Sequence, residues 1–449
     1  MHVTSMVLQW SSQVPVISVI NFLEEEHKMK VLVVGGGGRE HAICWKLRQS
    51  KRVTELYCAP GNGGIAQIAV CVPIPASAID ELVAYSLKEK FDLVFVAPDD
   101  PLALGLVDRL QEAGIRAYGP KANAAVIEAS KAFSKALMKK YNIPTAAYEI
   151  FTDVNCALAY LETKEMPIVI KADGLALGKG VIIALTLAEA KEAVVSMMAD
   201  HAFGSAGQTV VIEECMTGPE LTVLAFSDGN TVVPMITSRD HKRVFDKDLG
   251  KNTGGMGAIT PGADLTDAQE QHMMDTIFVP TIQALKKEGR PFVGVIYFGL
   301  MLTSQGPKVI EYNARFGDPE AQAILPRLEN DFMDIIDACL DQTLDQVSLT
   351  WKPGASCCVV MASDGYPDKY GTGFEITGIE DTGKIVFHAG TKQIDGKIVT
   401  SGGRVLCVYA DAPTLGEAIM SAYEGVHKIS FEEMHFRTDI GQTIPGGMN

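Results

Sequence analysis

The sequence predicts an α/β protein that begins with a parallel sheet and ends in a β-rich segment. Three observations carry that reading. From Lys30 onward, short apolar runs alternate with amphipathic stretches, the pattern of strand–helix–strand units. Three loops, "GGGGRE", "APGNGG" and "APDDP", each follow a predicted strand, as at the carboxyl edge of an open parallel sheet where ligands bind. Beyond about Ser356 the pattern changes to strands between glycine-rich turns ("SDGYPDKYGTG", "IVTSGGRVLCVYA") with one helix, "LGEAIMSAYEGVHK".

Taken in order, "KVLVV" is a buried strand, "REHAICWKLRQS" a helix and "ELYCAP" a second strand. The helix "AIDELVAYSLKEK", the strand "DLVFV", the helix "ALGLVDRLQEAG" and the short strand "RAYGP" complete a sheet covered on both faces. "EASKAFSKALMKKYNIP" is a helix with Phe133, Leu137 and Tyr141 on one face, stopped by Pro144. Two strands, "MPIVIKA" and "KGVIIAL", flank a glycine loop. The helix "TLAEAKEAVVSMM" follows, with Thr186 and Glu189 as a capping box. "TVVIEECM" is another strand, and strands dominate from "GPELTVLAF" to "VIEYNARFGDPE". Residues 1–28 lack the basic start and cleavage site of a signal peptide and precede a second start-like pair, Met29-Lys30. They are read as an extension outside the fold.

The chain has 449 residues, enough for two to four domains, and its 47% apolar and 21% charged residues are those of a globular protein. With 55 acids against 39 bases the net charge is −16, so no basic surplus exists to bind nucleic acid or an anionic membrane. A small anionic ligand needs only a local cluster of bases. No apolar run approaches a membrane span. The nine cysteines form no CxxC pair and no zinc-like spacing, which points to reduced thiols and a cytoplasmic protein.

Several motifs bear on chemistry. In "KADGLALGKGV", Lys171 to Val181, only three residues separate Gly174 from Gly178-Lys179, and Gly180 stands where a P-loop needs Ser or Thr. The strand "VIIAL" follows where a P-loop needs a helix. The stretch is therefore a hairpin: either a solvated turn, or a glycine-rich lid over phosphates with Lys171 and Lys179, and Lys131 as a further cation. The loop "GGGGREHA" fails as a dinucleotide fingerprint, because Glu40 replaces the third glycine and the second strand ends in Cys58-Ala59-Pro60 rather than an acid. A helix N-terminus with Arg39 and His41 near it suits an anion; a tight strand–helix turn is the alternative. "PGNGG", Pro60 to Gly64, puts a second glycine loop on the same edge and favours a phosphorylated ligand. Glu213 and Glu214 are adjacent on a strand and face opposite ways. Glu311 and Asn313 are two apart on a strand, hence on one face, and offer hard oxygens to a divalent cation; Arg315 follows. Arg239, His241, Lys242 and Arg243 make a local basic cluster beside another glycine loop, set against surface solvation as the alternative.

Together these motifs resemble the ATP-grasp enzymes and, within them, the glycinamide ribonucleotide synthetase (phosphoribosylamine–glycine ligase) family, over Met29 to Gly441. "RFGDPEAQ" is the most specific match; "GGGGREHA", "PGNGG", "KADGLALGKGV", "DHKR" and "NTGGMGA" agree in order and spacing. The resemblance implies an ATP-grasp fold with an N-terminal open parallel α/β (Rossmann-like) domain over 29–130. It implies an ATP-grasp domain over 131–341 containing a small mobile lid at about 152–219, and a β-rich C-terminal domain over 342–449. It implies that Lys131 and Lys171 meet ATP phosphates under a lid of Gly178, Lys179 and Gly180. The stretch Glu213, Glu214, Cys215 and Met216 lines adenine, and Glu220 takes the ribose hydroxyls. Glu311 and Asn313 hold Mg²⁺ or Mn²⁺. Gly37, Gly38, Arg39, Gly61, Asn62, Gly63, Asp99, Asp240, Lys242, Arg243 and Arg315 contact 5-phosphoribosylamine or glycine, with Lys171 and Arg315 also serving catalysis.

Three positions depart from the family pattern: Cys215-Met216 for Phe-Leu, Pro98-Asp99 for Pro-Glu, and Leu177 for Ala. The second shortens a side chain expected at the sugar. The implied reaction joins glycine to phosphoribosylamine through glycyl phosphate, with release of ADP and phosphate, in purine biosynthesis by a monomer or weak homo-oligomer. Another ATP-grasp carboxylate–amine ligase is the alternative. A non-catalytic nucleotide-binding regulator would have lost Glu311, Asn313 or the lid lysine, and all three residues are present.

Overall fold

A computed structural model describes residues 28–174, 180–199 and 207–442. Strand β1 (Met29–Gly35), helix α1 (Gly38–Leu47), β2 (Val53–Pro60), β3 (Val70–Cys71), α2 (Ile79–Glu89) and β4 (Leu93–Val96) open the chain. Helices α3 (Asp99–Ala103) and α4 (Leu106–Glu112), strand β5 (Ala117–Tyr118) and helix α5 (Ala122–Ala129) follow. The strands form one sheet in the order β3-β2-β1-β4-β5, with parallel pairing throughout. Alternation sorts β1 between two cores: Val31 and Val33 pack with α1, Leu32 and Val34 with α2 and α4.

Two expected helices are broken. Gly105 sits at φ +81°, a conformation that favours glycine, so "ALGLVDRLQEAG" divides and "APDDP" becomes the start of α3 instead of a loop. Ser130 is extended (φ −133°, ψ 112°), and its hydroxyl accepts from Phe133 N at 3.0 Å. It thereby ends α5 and caps α6 (Lys131–Tyr141). Edge strand β3 was not expected; it is two residues long, too short to leave a periodic signal.

After α6 come β6 (Tyr148–Phe151), α7 (Val154–Leu161), β7 (Ile168–Ala172), β8 (Val181–Ala184), α8 (Leu187–Met198) and β9 (Val210–Glu214). They make an antiparallel sheet, β6-β9-β7-β8, whose first strand begins at Tyr148, ahead of residue 152. Ile168, Ile170 and Ile212 on one face join Val194 and Met197 of α8 in a separate small core. Lys171 and Glu213 therefore lie on the other face. The predicted capping box of α8 is half formed. Thr186 Oγ1 accepts from Glu189 N at 3.2 Å, but Glu189 Oε2 takes the amide of Leu185 (2.8 Å) rather than that of Thr186.

Strands β10 (Glu220–Asp228) and β11 (Val232–Pro234) are followed by β12 (Arg239–Asp240), the hairpin β13 (Arg243–Phe245) and β14 (Leu249–Asn252), and β15 (Gly257–Thr260). Helices α9 (Asp267–Met273) and α10 (Val279–Lys287) lead to β16 (Val293–Thr303) and β17 (Gly306–Asn313). A second antiparallel sheet runs β11-β10-β16-β17 and shares both large cores with the parallel sheet. Helices α11 (Glu320–Ile324) and α12 (Phe332–Asp341) precede β18 (Ala355–Ser363), β19 (Ile385–His388), β20 (Thr391–Ile394), β21 (Lys397–Thr400), β22 (Arg404–Ala412), α13 (Leu415–Val426) and β23 (Met434–His435). The C-terminal sheet, β12-β15-β18-β22-β19 with β23 on β18, takes two strands from the segment expected to belong wholly to the ATP-grasp domain. Long-range pairing decides this, not the local pattern.

The seam between the parallel sheet and the C-terminal sheet is built from imidazoles. His41 Nδ1 accepts from His388 N at 2.8 Å, and His388 Nδ1 meets Thr391 Oγ1 at 3.1 Å. His41 thus faces the seam rather than an anion at the α1 N-terminus. Burial, with His388 adding, pushes His41 down to about 3, and burial pushes His388 to about 4. Both are neutral when folded and take up a proton near pH 6.5 when unfolded. The stability they contribute is complete above that pH and is lost as pH falls toward 4. Thermal unfolding should show a lower midpoint at pH 5 than at pH 7, with His41→Asn less stable at pH 7 and less sensitive to the pH change. An equal pH response in both proteins would contradict this.

Candidate active site

One cleft of about 1160 Å³ lies where the two antiparallel sheets meet the carboxyl edge of the parallel sheet. Its wall brings together Arg39, Asp99, Lys131, Lys171, Gly180, Glu213 to Met216, Glu220, Asp240, Lys242, Arg243, Glu311, Asn313 and Arg315. Gly178 and Lys179 lie outside the described residues. Gly37, Gly38, Gly61, Asn62 and Gly63 are not part of this wall. Several of their polar groups have partners within the protein: Gly37 N donates to Glu40 Oε2 (2.6 Å), Gly61 N to Gly35 O (3.1 Å) and Gly63 N to Thr391 O (3.1 Å). Asn62 is saturated, its Nδ2 donating to Gly36 O (2.9 Å) and His388 O (2.8 Å), its Oδ1 accepting from Gly64 N and Ile65 N (both 2.9 Å). Any Cβ at Gly36 would come within 2.5 Å of Gly61 O, so glycine lets the two loops lie backbone against backbone.

The basic side of the cleft is a set of shared charges. Lys171 Nζ lies 3.1 Å from Glu213 Oε2 and donates to Ile310 O at 3.1 Å. Lys135 Nζ lies 2.9 Å from the same Oε2. All three side chains are buried, and Glu213 Oε1 has no hydrogen-bond partner among the described residues. Glu214, on the opposite face of β9 from Glu213, pairs with Lys308 at 3.5 Å. Lys131 Nζ donates to Gly174 O (2.9 Å); burial, aided by Lys171, holds its ammonium below the usual lysine range.

Glu311 and Asn313 project from one face of β17, with Tyr312 buried on the other. Burial alone would push the Glu311 carboxyl up, but Lys242, Lys171, Lys131 and Arg315 outweigh it and hold it below the usual carboxylate range. Arg315 bridges to Glu128 Oε1 at 2.9 Å and donates to Asn313 Oδ1 at 3.3 Å, and its buried Nε has no partner among the described residues. Asp99 begins α3; burial opposes its charge, yet Arg315, Arg39 and the helix amides keep its carboxyl below the usual range. Lys242 is held between Glu220 (2.8 Å) and Glu311 (4.0 Å). Arg243, also in the wall, donates from Nη1 to Gly250 O at 2.7 Å. Burial and the neighbouring Glu320 push Asp240 well above the usual carboxylate range, and its buried Oδ1 has no partner among the described residues.

Sequence reasoning missed Lys135, Glu128, Asp318, Glu320 and Arg404, all of which the fold brings to this cleft. For Lys135 a signal existed: it stands four residues after Lys131 on one helix face. Asp318 and Glu320 lie inside the quoted "RFGDPEAQ". Nothing local marks Arg404, which reaches the site from the C-terminal sheet through Asp318 Oδ2 at 3.0 Å.

Facing antiparallel sheets across a cation-lined cleft, set on an open parallel sheet, define an ATP-grasp protein. A crystal structure of phosphoribosylamine–glycine ligase from Thermotoga maritima superposes with a TM-score of 0.82 at 33% identity, covering 92% of this chain and 100% of that one. The biotin carboxylase domain of Hydrogenobacter thermophilus 2-oxoglutarate carboxylase, crystallised with MgADP and bicarbonate, shares the fold at TM-score 0.71 and 16% identity over 91% of this chain and 92% of that one. Three family models match: the phosphoribosylglycinamide synthetase N domain (29–128), ATP-grasp (A) domain (129–321) and C domain (356–443). The chain belongs to the phosphoribosylglycinamide synthetase family. The protein named phosphoribosylamine–glycine ligase in Halalkalibacterium halodurans is 49% identical over 415 residues, 92% of this chain and 96% of that protein. Its namesake in Vibrio parahaemolyticus is 48% identical over 92% of this chain and 98% of that one.

The Asp318–Arg404 bridge gives a test of the assembly. Burial raises the Asp318 carboxyl, but Arg404, Arg39 and the hydrogen bond from Gln322 hold it below the usual range. The stability it contributes is present above its unfolded pKa and is lost as pH falls through the lower, folded one. Asp318→Asn should lose about 3 kcal/mol in denaturant unfolding at pH 7. The gap to the wild-type protein should narrow below pH 4; a gap independent of pH would contradict the charge pairing.

Proposed function

We propose that this protein ligates glycine to 5-phosphoribosylamine at the cleft, with ATP as the phosphoryl donor and Mg²⁺ or Mn²⁺ as the metal. The observation that carries the reading is the meeting of Glu311 and Asn313 with Lys131, Lys171 and Arg315 in one wall, in a chain whose net charge is −16. The groups present fit these ligands. Two hard oxygens on one face of β17 suit a small divalent cation that keeps its other ligands from phosphate and water. The orphaned Glu213 Oε1 suits the amino group of a purine, and the orphaned Arg315 Nε suits an anion.

A divalent cation held by Glu311 and Asn313 neutralises phosphate oxygens when bound. The protein's own groups do the rest. Lys131 and Lys171 draw the triphosphate into the cleft, and Arg315 holds the glycine carboxylate near the γ-phosphorus. A carboxylate oxygen attacks that phosphorus and ADP leaves, giving glycyl phosphate. The sugar amine then attacks the carbonyl carbon, and phosphate departs with one of the original carboxylate oxygens. Gly180, in the wall of the cleft beside β8, helps to shield the acyl phosphate from water. Glu220 serves the ribose of ATP; Asp99, Arg39, Asp240 and Lys242 serve the second substrate.

Two outcomes test the roles. Glu311→Ala and Lys171→Ala should each lower ADP formation roughly 100-fold or more while circular dichroism stays unchanged; near-normal turnover would sink these assignments. Glycine labelled with ¹⁸O in its carboxylate should deliver one labelled oxygen to phosphate per turnover, and unlabelled phosphate would exclude the acyl phosphate.

A further inference from the structure

Lys135 is a buried cation at the cleft that the ATP reading leaves without a task. It lies on α6, one helical turn beyond Lys131, and only 2% of it is exposed. Its Nζ meets Glu213 Oε2 at 2.9 Å and donates to Thr145 Oγ1 at 2.7 Å; that hydroxyl in turn donates to Val309 O at 2.7 Å. Lys171 Nζ lies 3.1 Å from the same carboxylate oxygen and 3.1 Å from Ile310 O. Two ammonium groups therefore share one oxygen, and both are tied to the backbone of β17 just before Glu311, Lys171 directly at Ile310 O and Lys135 through Thr145 at Val309 O. The charge count of the trio is +1.

We propose that Lys135 is a positioning residue for the phosphate end of the cleft: by sharing Glu213 with Lys171, it leaves one positive charge of the buried trio free to act on an anionic ligand. The inference rests on the ATP reading. Without Lys135, Glu213 and Lys171 close into a neutral pair, and their mutual attraction in a dry site draws Lys171 back from the cleft. With Lys135 charged, Glu213 is over-neutralised, and the field of Lys171 extends to the phosphates. The other hydrogen bonds of the two lysines fix where that charge sits relative to Glu311 and Asn313.

The same geometry makes the surplus dependent on pH. Burial pushes Lys135 down to about 8, with Lys171 of β7 adding to the effect and Glu213 and Glu214 of β9 opposing it. From β6 the Tyr148 ring approaches, 5.6 Å from Nζ, and it also faces Lys139 of α6 at 5.7 Å. As pH climbs through 8 the trio loses its surplus charge, and affinity for a polyphosphate falls with it.

The experiment is calorimetric binding of Mg·ADP to the full chain between pH 6.5 and 9.5, with steady-state KM for Mg·ATP and kcat, for the wild type, Lys135→Met and Lys135→Arg. Circular dichroism and thermal midpoints control for folding. The wild type should bind more weakly above pH 8. Lys135→Met should bind roughly tenfold more weakly at pH 7, with no further step near pH 8. Lys135→Arg, whose charge is fixed, should retain affinity at pH 7 and stay flat to pH 9.5. Unchanged affinity and pH profile in Lys135→Met would overturn the proposal, as would equal weakening of both variants with the wild-type pH profile kept, the mark of a merely structural lysine. Failure of the wild type to bind Mg·ADP would instead remove the ATP reading on which the proposal stands.

Discussion

Charge pairing across the cleft is the constraint on which the rest depends. Lys135 and Lys171 share Glu213, Arg315 pairs with Glu128, Lys242 with Glu220 and Arg404 with Asp318. Each pair joins different stretches of the chain. A buried ion is costly unless a partner and hydrogen bonds meet it, so these pairs are satisfied only when the parallel sheet, both antiparallel sheets and the C-terminal sheet are in place together. The site is therefore a product of assembly rather than of any single loop. The excess of acid in the chain as a whole does not prevent a local concentration of cations; it supplies the carboxylates that make their burial tolerable.

The two antiparallel sheets divide the chemistry. The sheet holding Lys171 and Glu213 has its own small core, whereas the sheet holding Glu311 and Asn313 shares both large cores with the parallel sheet. Lys171 thus comes from a separately packed sheet, whereas Glu311 and Asn313 come from the sheet that shares the large cores. Lys135 joins them: it belongs to α6, bonds to β9, and reaches β17 through Thr145.

Much of this was legible in the sequence where local periodicity decides. Glu311 and Asn313 two apart on a strand had to share a face, and Glu213 and Glu214 had to oppose each other; the pairing of Glu213 with two lysines and of Glu214 with Lys308 follows that rule. The hairpin around Gly174 and Gly180 was readable from the strand that replaces a P-loop helix. Legibility ended where partners are remote. The i, i+4 spacing from Lys131 sets Lys135 on the same helix face, but its partner, Glu213 of β9, lies far along the chain and leaves no local mark. Strands β12 and β15 could not be placed in the C-terminal sheet, since β18 lies far along the chain. His41 sat beside a glycine loop in sequence, yet its hydrogen bond to His388 turns it toward the seam.

The most direct test of the account is ADP release from Mg·ATP in the presence of glycine and freshly generated phosphoribosylamine, omitting each in turn. The charge-lined cleft, the metal-type oxygens and the family of the chain together predict release that requires both the amino acid and the sugar amine. Release with glycine that is indifferent to the sugar amine would contradict the named acceptor and leave only a carboxylate-activating ATP-grasp enzyme. No release under any combination would contradict the catalytic reading itself.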